Sequence, residues 1–377
     1  APLAVDTAPM FENVLEPPDV DLSMFPAPRW NELDGGRFIG TASINIVRDP
    51  DTGIINAGTY RNQVFGKDRI GIRAAPPHHG GIIKNKYLNK GEPCPIVILV
   101  GHDPLLFMAS CMEGPKIGES ELDWAGGLRG RPVEVFEGEV TGLPIPVNAE
   151  IALEGFITTD EWEKEGPYGE WLGYYQDGYP QDNVIKIERV YHRDDPIILG
   201  CPQGKPPHED NRFLAYLRAG MIWDQLERAG VPAVKGVWSP PAAGNRLMTV
   251  VSIETQYAGH GKQAGFIASQ CGAGVEMNRL TVVVDDHVDI TNMEDVMWAV
   301  VARCDPARSV DIIERTKGAR IDIGQAPADR ELRMTSRMVI DATTPFEWKG
   351  DPLDGSVITT PARTRETLDK WGWLLKK

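Results

Sequence analysis

Two adjacent histidines in front of two glycines are the first feature that could do chemistry. His78 and His79 precede Gly80 and Gly81 in the segment RAAPPHHGG, which begins at Arg73. Imidazole is a common metal ligand, and a glycine backbone can approach a phosphate closely. A surface loop with solvated histidines explains the same residues, and upstream, in NAGTYR (residues 56–61), an asparagine at a strand-bounding turn is ordinary. A metal site and a plain loop both stay open.

Two groups of acidic residues follow. Glu121 lies among other acids in ESELDWAG, at a predicted helix start, where acids normally complement the helix dipole. Glu165 and Glu170 flank a Gly-Pro-Tyr-Gly turn in KEGPYGEW, and this turn could bring both carboxylates to one point. Two close carboxylates raise the pKa of one of them, which suits a proton donor near neutral pH. An exposed acidic turn is the alternative.

The overall charge restricts the partners. The 377 residues include 39 Lys and Arg against 54 Asp and Glu, a formal net charge of −15. Such a surface repels phosphate backbones and anionic lipid, so we expect neither nucleic acid nor a membrane as partner. An anionic substrate would need a local cluster of arginine, lysine or metal.

Cysteine usage and hydropathy favour a cytoplasmic protein. The five cysteines are scattered and never form a C-x-x-C pair, which argues against a disulfide framework or a zinc knuckle. The most apolar stretch, residues 95–112, is interrupted by His102, Asp103 and Pro104, so it falls short of the roughly 20 apolar residues that a membrane span needs. The first thirty or so residues are rich in Pro and Asp without a signal-type apolar core, and we interpret them as the start of a fragment.

The elements that must position these residues change character along the chain. Residues 36–75 alternate like short strands broken by turns, which predicts a meandering sheet or barrel. Residues 95–102 predict a buried strand, followed by helices at 103–112 and 119–128 and then by further strands to residue 157. The region 161–206 is rich in Gly and Pro yet keeps five Tyr and two Trp, which is typical of site-forming loops.

The second half predicts alternating helices and strands. The helices are expected at residues 211–230, 292–304 and 362–375, and the strands at 247–255 and 279–290. The predicted fold class is therefore α+β, with a β-rich front half and an α/β back half.

Taken together, the three clusters resemble the UbiD family of decarboxylases, from about Gly36 to the C-terminal region. QYAGHGK at residues 256–262 and the stretch VVVDDHVDI belong to the same resemblance. It implies that Asn56, His78 and Glu121 ligate a metal and that Arg61 stands between Glu165 and Glu170 in a Glu-Arg-Glu network. An amide oxygen, an imidazole and a carboxylate suit Mn²⁺ or a similar divalent ion.

The resemblance also implies a cofactor, prenylated FMN, whose phosphate the metal would hold, with K⁺ as a further ion. A bound cation would reverse the local charge that a protein of −15 otherwise presents to a phosphate. The family's cofactor contacts fall on a set of backbone and side-chain positions here: Thr59, Tyr60, Arg61, Arg73, Ala74, Ala75, His79, Gly80 and, more weakly, Lys262.

The implied activity is reversible, non-oxidative decarboxylation of an aromatic or α,β-unsaturated carboxylic acid. Arg61, paired with Glu165, would orient the substrate carboxylate, and Glu170 would deliver the proton that replaces CO₂. The implied partners are a flavin prenyltransferase that supplies the cofactor and further copies of the chain, as a dimer or hexamer.

The implied domains are an extended segment at residues 1–35, a cofactor- and metal-binding domain resembling a split β-barrel at 36–205, and an α/β oligomerisation domain at 206–377. The family's usual N-terminal domain is expected to be missing from this chain. Pro76 and Pro77 precede His78, and His79 stands where the family commonly has Arg, so His79 stays the alternative metal ligand. A non-catalytic subunit of a carboxylase complex and an ordinary FMN-dependent reductase are the competing functions.

Overall fold

The computed structural model describes residues 1–74, 76, 78–112, 118–275, 277–349 and 361–375. The chain divides into two compact units, residues 1–205 and 206–377. Within the described residues, no helix is both long enough and apolar enough to cross a membrane.

The first unit is built mainly of strands. They are β1 Leu3–Ala4, β2 Asn13–Leu15, β3 Arg37–Gly40, β4 Ile44–Arg48, β5 Ile55–Gly58, β6 Asn62–Val64, β7 Arg69–Gly71, β8 Cys94–Val100, β9 Glu134–Glu137, β10 Pro144–Pro146, β11 Ile151–Glu165, β12 Tyr168–Gly169, β13 Tyr175–Gln176 and β14 Tyr179–His192. Three helices join them: α1 His79–Leu88, α2 Pro104–Cys111 and α3 Glu121–Arg129.

One large sheet organises this unit. In its described part, nine strands pair in the order β3-β6-β7-β14-β11-β8-β4-β5, with β2 added alongside β14. The strand β8 shows that the sheet is buried on both faces. Ile96, Ile98 and Val100 pack into one core, and Val97 and Leu99 pack into another. A continuous run of apolar, mostly β-branched residues is what such a strand requires.

Local signals in the sequence explain where α2 and α3 begin and end. Asp103 caps α2 by accepting hydrogen bonds from the backbone N–H groups of Leu105 and Leu106, and Pro104 opens the helix. The helix α3 stops at Gly130, whose φ of 73° lies in the left-handed region.

The second unit layers helices on both faces of a sheet. Its strands are β15 Val234–Trp238, β16 Met248–Ile253, β17 Leu280–Asp285, β18 Val310–Lys317 and β19 Met334–Asp341, and its helices are α4 Glu209–Arg228, α5 His260–Gln270, α6 Met293–Arg303, α7 Pro306–Ser309, α8 Pro327–Glu331 and α9 Pro361–Trp371. The described strands pair in the order β15-β16-β17-β19-β18, with β16, β17 and β19 parallel to one another. Neighbouring valines of β16 and β17 alternate between two cores. The predicted fold class, β-rich and barrel-like in front and α/β behind, is confirmed.

Two segments differ from the local expectation. The Gly/Pro/His-rich segment around His79 was expected to be a loop, yet it begins α1, which packs against the large sheet. The region 161–206 was expected to consist of long loops, but much of it belongs to β11 and β14, which pair with each other over most of their length. Pairing between distant strands decided this region, and local Gly and Pro content could not show it.

Candidate active site

Arg61 lies between two glutamates. Its Nε and Nη2 donate to the Oε1 and Oε2 of Glu165 at 2.6 and 3.0 Å, and its Nη1 donates to Glu170 Oε1 at 2.5 Å. The side chains of Arg61, Glu165 and Glu170 are 14%, 1% and 13% exposed. Burial opposes the charge of Arg61, but the hydrogen bond to Glu165 and the charges of both glutamates outweigh it and raise the pKa of Arg61. The guanidinium therefore stays charged, with its donors aimed at carboxylates.

The turn between the two glutamates is closely packed. Glu165 ends β11, and Gly166 takes a φ of 77°, which glycine adopts without strain. Gly178 directly precedes β14, and a Cβ on it would lie 2.0 Å from the carbonyl oxygen of Glu165. A larger residue at position 178 would therefore push the start of β14 away from the end of β11. The ring of Tyr168 lies below Arg61, with its centroid 4.4 Å from the guanidinium carbon. The turn thus holds Glu165, Tyr168 and Glu170 around one arginine.

Asn56 and Glu121 meet at a second buried point. Glu121 opens α3, and its two carboxylate oxygens accept from Asn56 Nδ2 at 2.9 Å and from the backbone N–H of Ala57 at 2.7 Å. Burial raises the pKa of Glu121, and these hydrogen bonds oppose the shift. Asn56 Oδ1 is buried and has no hydrogen-bond partner among the described residues. An unpaired amide oxygen beside a buried carboxylate fits a divalent cation.

Tyr60 lies between this point and the start of α1. Its hydroxyl accepts a hydrogen bond from the backbone N–H of Gly80 at 3.0 Å, and its ring centroid lies 6.3 Å from that of His78. A Cβ on Gly58 or on Gly80 would lie 2.7 Å from the Tyr60 ring, so both glycines allow its close packing. Burial raises the pKa of Tyr60 to about 12, and the charge of Glu121 adds to the shift. His78 directly precedes α1 and His79 is its first residue.

A third group surrounds Arg73, whose guanidinium carbon lies 3.2 Å from the ring centroid of Tyr179. Asp182, 4% exposed, has its pKa raised to about 6 by burial, although the charges of Arg73 and Lys84 oppose the shift. Lys84 Nζ donates to Asn183 Oδ1 at 2.9 Å, and burial lowers the pKa of Lys84. Asp182 and Lys84 were not predicted from the sequence, because a charged residue within a strand or a helix gives no local sign that it is buried.

The remaining predicted residues have these positions. Ala74 is buried, Ala75 lies outside the described residues, and the hydroxyl of Thr59 is 3.8 Å from Cys111 Sγ. Lys262 belongs to the second unit, where its Nζ lies 2.9 Å from Asp311 Oδ2. Among the described residues of the first unit, Asn56 therefore contacts Glu121, Arg61 contacts Glu165 and Glu170, and Tyr60 contacts Gly80. The contacts of these residues with a metal or cofactor, and that of Lys262 with a cofactor phosphate, stay predictions.

Two family descriptions match the chain. The 3-octaprenyl-4-hydroxybenzoate carboxy-lyase Rift-related domain matches residues 3–206, and the C-terminal domain of the same carboxy-lyases matches residues 212–342. A phenolic acid decarboxylase of Sedimentibacter hydroxybenzoicus is 33% identical over 381 residues, which cover 98% of this chain and 76% of that protein.

Solved structures show the same similarity. The UbiD-class enzyme HmfF from Pelotomaculum thermopropionicum, in complex with FMN, has a TM-score of 0.86 at 31% identity, covering 98% of this chain and 79% of that one. An evolved dimeric form of HmfF in complex with prFMN has a TM-score of 0.81 at 30% identity, covering 98% and 78%. With both family descriptions spread over nearly the whole length, this chain belongs to the UbiD family and is a carboxy-lyase.

Proposed function

We propose that this chain catalyses the reversible, non-oxidative decarboxylation of an aromatic or α,β-unsaturated carboxylic acid. The observation that carries the proposal is the buried cluster in which Arg61 binds Glu165 and Glu170 at once. An arginine orients a carboxylate well, and an acid beside it can transfer a proton. The phenolic acid decarboxylase among the relatives supports an aromatic acid as the substrate.

The proposed cofactor is prenylated FMN, because one HmfF structure holds FMN and another holds prFMN. Asn56, Glu121 and His78, with His79 as the alternative, would hold Mn²⁺ or a similar divalent ion on its phosphate, and the unpaired Asn56 Oδ1 supports this assignment. K⁺ is a further proposed ion. When bound, the modified flavin supplies an electron sink that allows the bond between the substrate and its carboxylate to break.

The cofactor contacts proposed for this chain belong to the segment that follows β5, to the segment that precedes and opens α1, and, for Lys262, to α5 of the second unit. They are Thr59, Tyr60, Arg61, Arg73, Ala74, Ala75, His79, Gly80 and Lys262. Several of them belong to segments whose glycines already bring backbone and ring close together, as at Gly58 and Gly80.

The protein's own residues would perform the proton and positioning steps. Arg61, held by Glu165 from one side, binds the substrate carboxylate and orients it. Glu170 takes a proton from solvent and gives it to the carbon that CO₂ leaves, so one C–C bond and the O–H bond of Glu170 break and one C–H bond forms. In the reverse direction Glu170 takes the proton back, since a catalyst lowers the same barrier both ways.

The proposed setting is a cytoplasmic homo-oligomer, a dimer or hexamer, that receives its cofactor from a flavin prenyltransferase. Exposed apolar side chains in the second unit, among them Trp298 and Val301, support self-association. The five cysteines, all free, are compatible with a reducing compartment.

The proposal is tested with Glu170→Gln. The amide cannot donate the carboxyl proton, so we expect decarboxylation of an aromatic acid to fall by at least about 100-fold while flavin and metal content stay unchanged. The matched control is Glu163→Gln, a half-buried glutamate of β11 in an ion pair with Arg69, which should keep wild-type turnover. Wild-type turnover in Glu170→Gln would remove the proton-donor role, and NADPH oxidation without CO₂ release would favour an ordinary flavin reductase.

A further inference from the structure

A buried aspartate far from Glu170 in sequence holds the backbone next to it. Asp34 is fully buried, and its Oδ1 accepts a hydrogen bond from the backbone N–H of Gly169 at 2.8 Å. Its Oδ2 accepts from the backbone N–H of Asn31 at 2.9 Å. The carboxylate therefore joins a local turn at residues 31–34 to the residue that directly precedes Glu170.

The contact is part of a close backbone-to-backbone junction. Gly35 N–H donates to the carbonyl oxygen of Pro167 at 2.7 Å. A Cβ on Gly35 would lie 1.9 Å from the carbonyl oxygen of Gly166, and a Cβ on Gly169 would lie 2.5 Å from Asn31 Nδ2. These distances exclude larger residues without a shift of the chain, so the two segments meet closely along several residues.

Other groups hold the rest of the same turn. Gln63 Oε1 accepts from the backbone N–H of Gly166 at 2.8 Å, and the Phe38 ring packs on that of Tyr168 with centroids 4.7 Å apart. After the turn, the N–H of Glu170 donates to the carbonyl oxygen of Tyr174 at 2.9 Å. Asp34 thus fixes the backbone at Gly169, between the packed turn and Glu170.

We propose that Asp34 is a positioning residue for Glu170. By fixing the Gly169 N–H, it sets the direction in which the Glu170 side chain leaves the backbone, and so its contact with Arg61. This inference rests on the proposed function, because the position of Glu170 matters for turnover only if Glu170 transfers the proton. A displacement of about 1 Å in a reacting group can lower the rate by about 100-fold.

The chemistry requires a carboxylate at position 34. Both oxygens of Asp34 accept from backbone N–H groups, and an asparagine offers one oxygen and one NH₂ group. In Asp34→Asn, the backbone N–H of either Asn31 or Gly169 would face the NH₂ group of the new side chain, so one of the two hydrogen bonds must break. In Asp34→Ser the short hydroxyl can still accept from Asn31 but does not reach Gly169.

The test compares Asp34→Asn and Asp34→Ser with Asp21→Asn in the cofactor-loaded protein. Asp21 caps a neighbouring turn by accepting from the backbone N–H of Ser23 at 3.0 Å, and its described contacts do not include the turn at residues 166–169. Two readouts are measured, namely kcat and KM for an aromatic acid and amide hydrogen exchange of the peptide that contains Gly169 and Glu170. Flavin content is recorded for each variant.

We expect both Asp34 variants to lower kcat by about 10- to 100-fold with KM and flavin content nearly unchanged, and to speed exchange at Gly169. Asp21→Asn should change neither readout. Faster exchange at Gly169 combined with wild-type kcat would overturn the inference, and so would fast exchange of this amide in the wild-type protein. That wild-type measurement can overturn the inference even if no Asp34 variant folds.

Failure of the proposed function gives a different result. If the wild-type protein released CO₂ from no acid, exchange would still show whether Asp34 holds Gly169. A decarboxylating wild type whose Asp34 variants keep full kcat would reject the inference and leave the proposed function intact.

Discussion

Besides Asp34, three acidic side chains near the candidate site are almost fully buried, and their surroundings differ. Glu165 is bonded to Arg61 through both oxygens, and Glu121 accepts two N–H groups. Asp182 Oδ1 accepts from the backbone N–H of Asn183 at 3.1 Å, but its Oδ2 has no hydrogen-bond partner among the described residues. An unpaired buried oxygen disfavours the charged form, which explains why the pKa of Asp182 is raised to about 6.

Replacing Asp182 by Asn should remove a pH dependence of stability. Because the pKa of Asp182 rises from its ordinary value of 3.8 to about 6 on folding, its stabilising contribution is full below pH 3.8 and is lost as the pH rises through about 6. Relative to Asp182→Asn, the wild type should therefore lose up to about 3 kcal/mol over this interval. Urea unfolding of both proteins between pH 4 and pH 7 measures the difference.

The control for this measurement is Asp160→Asn, which changes an exposed aspartate of β11. Its unfolding midpoint should follow that of the wild type at every pH. A difference between Asp182→Asn and wild type that stayed constant with pH would contradict the raised pKa of Asp182.

The sequence could identify residues whose partners are close along the chain or belong to a known pattern. Glu165 and Glu170 flank a Gly-Pro-Tyr-Gly turn, and in the structure both accept hydrogen bonds from Arg61. Asp34 gave no such signal, because its partner Gly169 is 135 residues away. Contacts of this separation depend on the fold, and a local pattern does not contain them.

At the scale of elements, alternating strands and helix caps could be predicted from the sequence. In segments of low helix or strand propensity, tertiary packing decided which element forms. The helix α1 begins His-Gly-Gly, residues of low helix propensity, and it forms where Gly80 N–H meets the Tyr60 hydroxyl and Ile83 enters the core. Likewise β11 and β14 carry Gly, Pro and charged residues, yet they pair over a long register. Both outcomes follow from tertiary contacts that override local propensity.

In the second unit one of the buried arginines joins several elements. Arg337 of β19 is 2% exposed. Its guanidinium donates to the hydroxyl of Thr316 and the carbonyl oxygen of Lys317, both on β18. It also donates to the carbonyl oxygen of Ser269 in the last turn of α5 and to those of Gly274 and Val275 just after this helix. Carbonyls in the last turn of a helix have no partner within it, so a cation that binds them stabilises the helix end.

Arg337→Lys should destabilise the second unit. Lysine has three donors on a flexible chain and cannot reproduce the planar fork, so buried carbonyl oxygens would lose their partners. We expect a loss of about 3 kcal/mol in the free energy of unfolding, measured by urea denaturation. Arg308→Lys, at a side chain that is 89% exposed, should change stability by less than about 0.5 kcal/mol. Equal effects of the two substitutions would show that the buried fork is not needed.

At the scale of the whole molecule, the charge of the chain opposes the charge of its proposed ligand. The net charge is −15, and a flavin mononucleotide carries a phosphate. Local features of the candidate site can offset this repulsion. They are the cations Arg61, Arg73 and Lys84 and the contact between Asn56 and Glu121, which fits a metal. Long-range repulsion and short-range attraction should therefore respond differently to salt, because screening reaches distant charges first.

FMN binding to the metal-free protein should become faster as salt rises from about 10 mM to about 100 mM, since the screening length falls from about 30 Å to about 10 Å. Addition of Mn²⁺ should then strengthen binding at either salt concentration, because a bound cation reverses the charge where the phosphate lies. Asn56→Ala should lose most of the Mn²⁺ effect and keep the salt effect, whereas Asn89→Ala, at an exposed position after α1, should keep both. Stopped-flow flavin fluorescence gives the rates and titration gives the affinities. Slower binding at higher salt would mean that the cations of the site outweigh the charge of the whole chain, and an unchanged Mn²⁺ effect in Asn56→Ala would place the metal elsewhere.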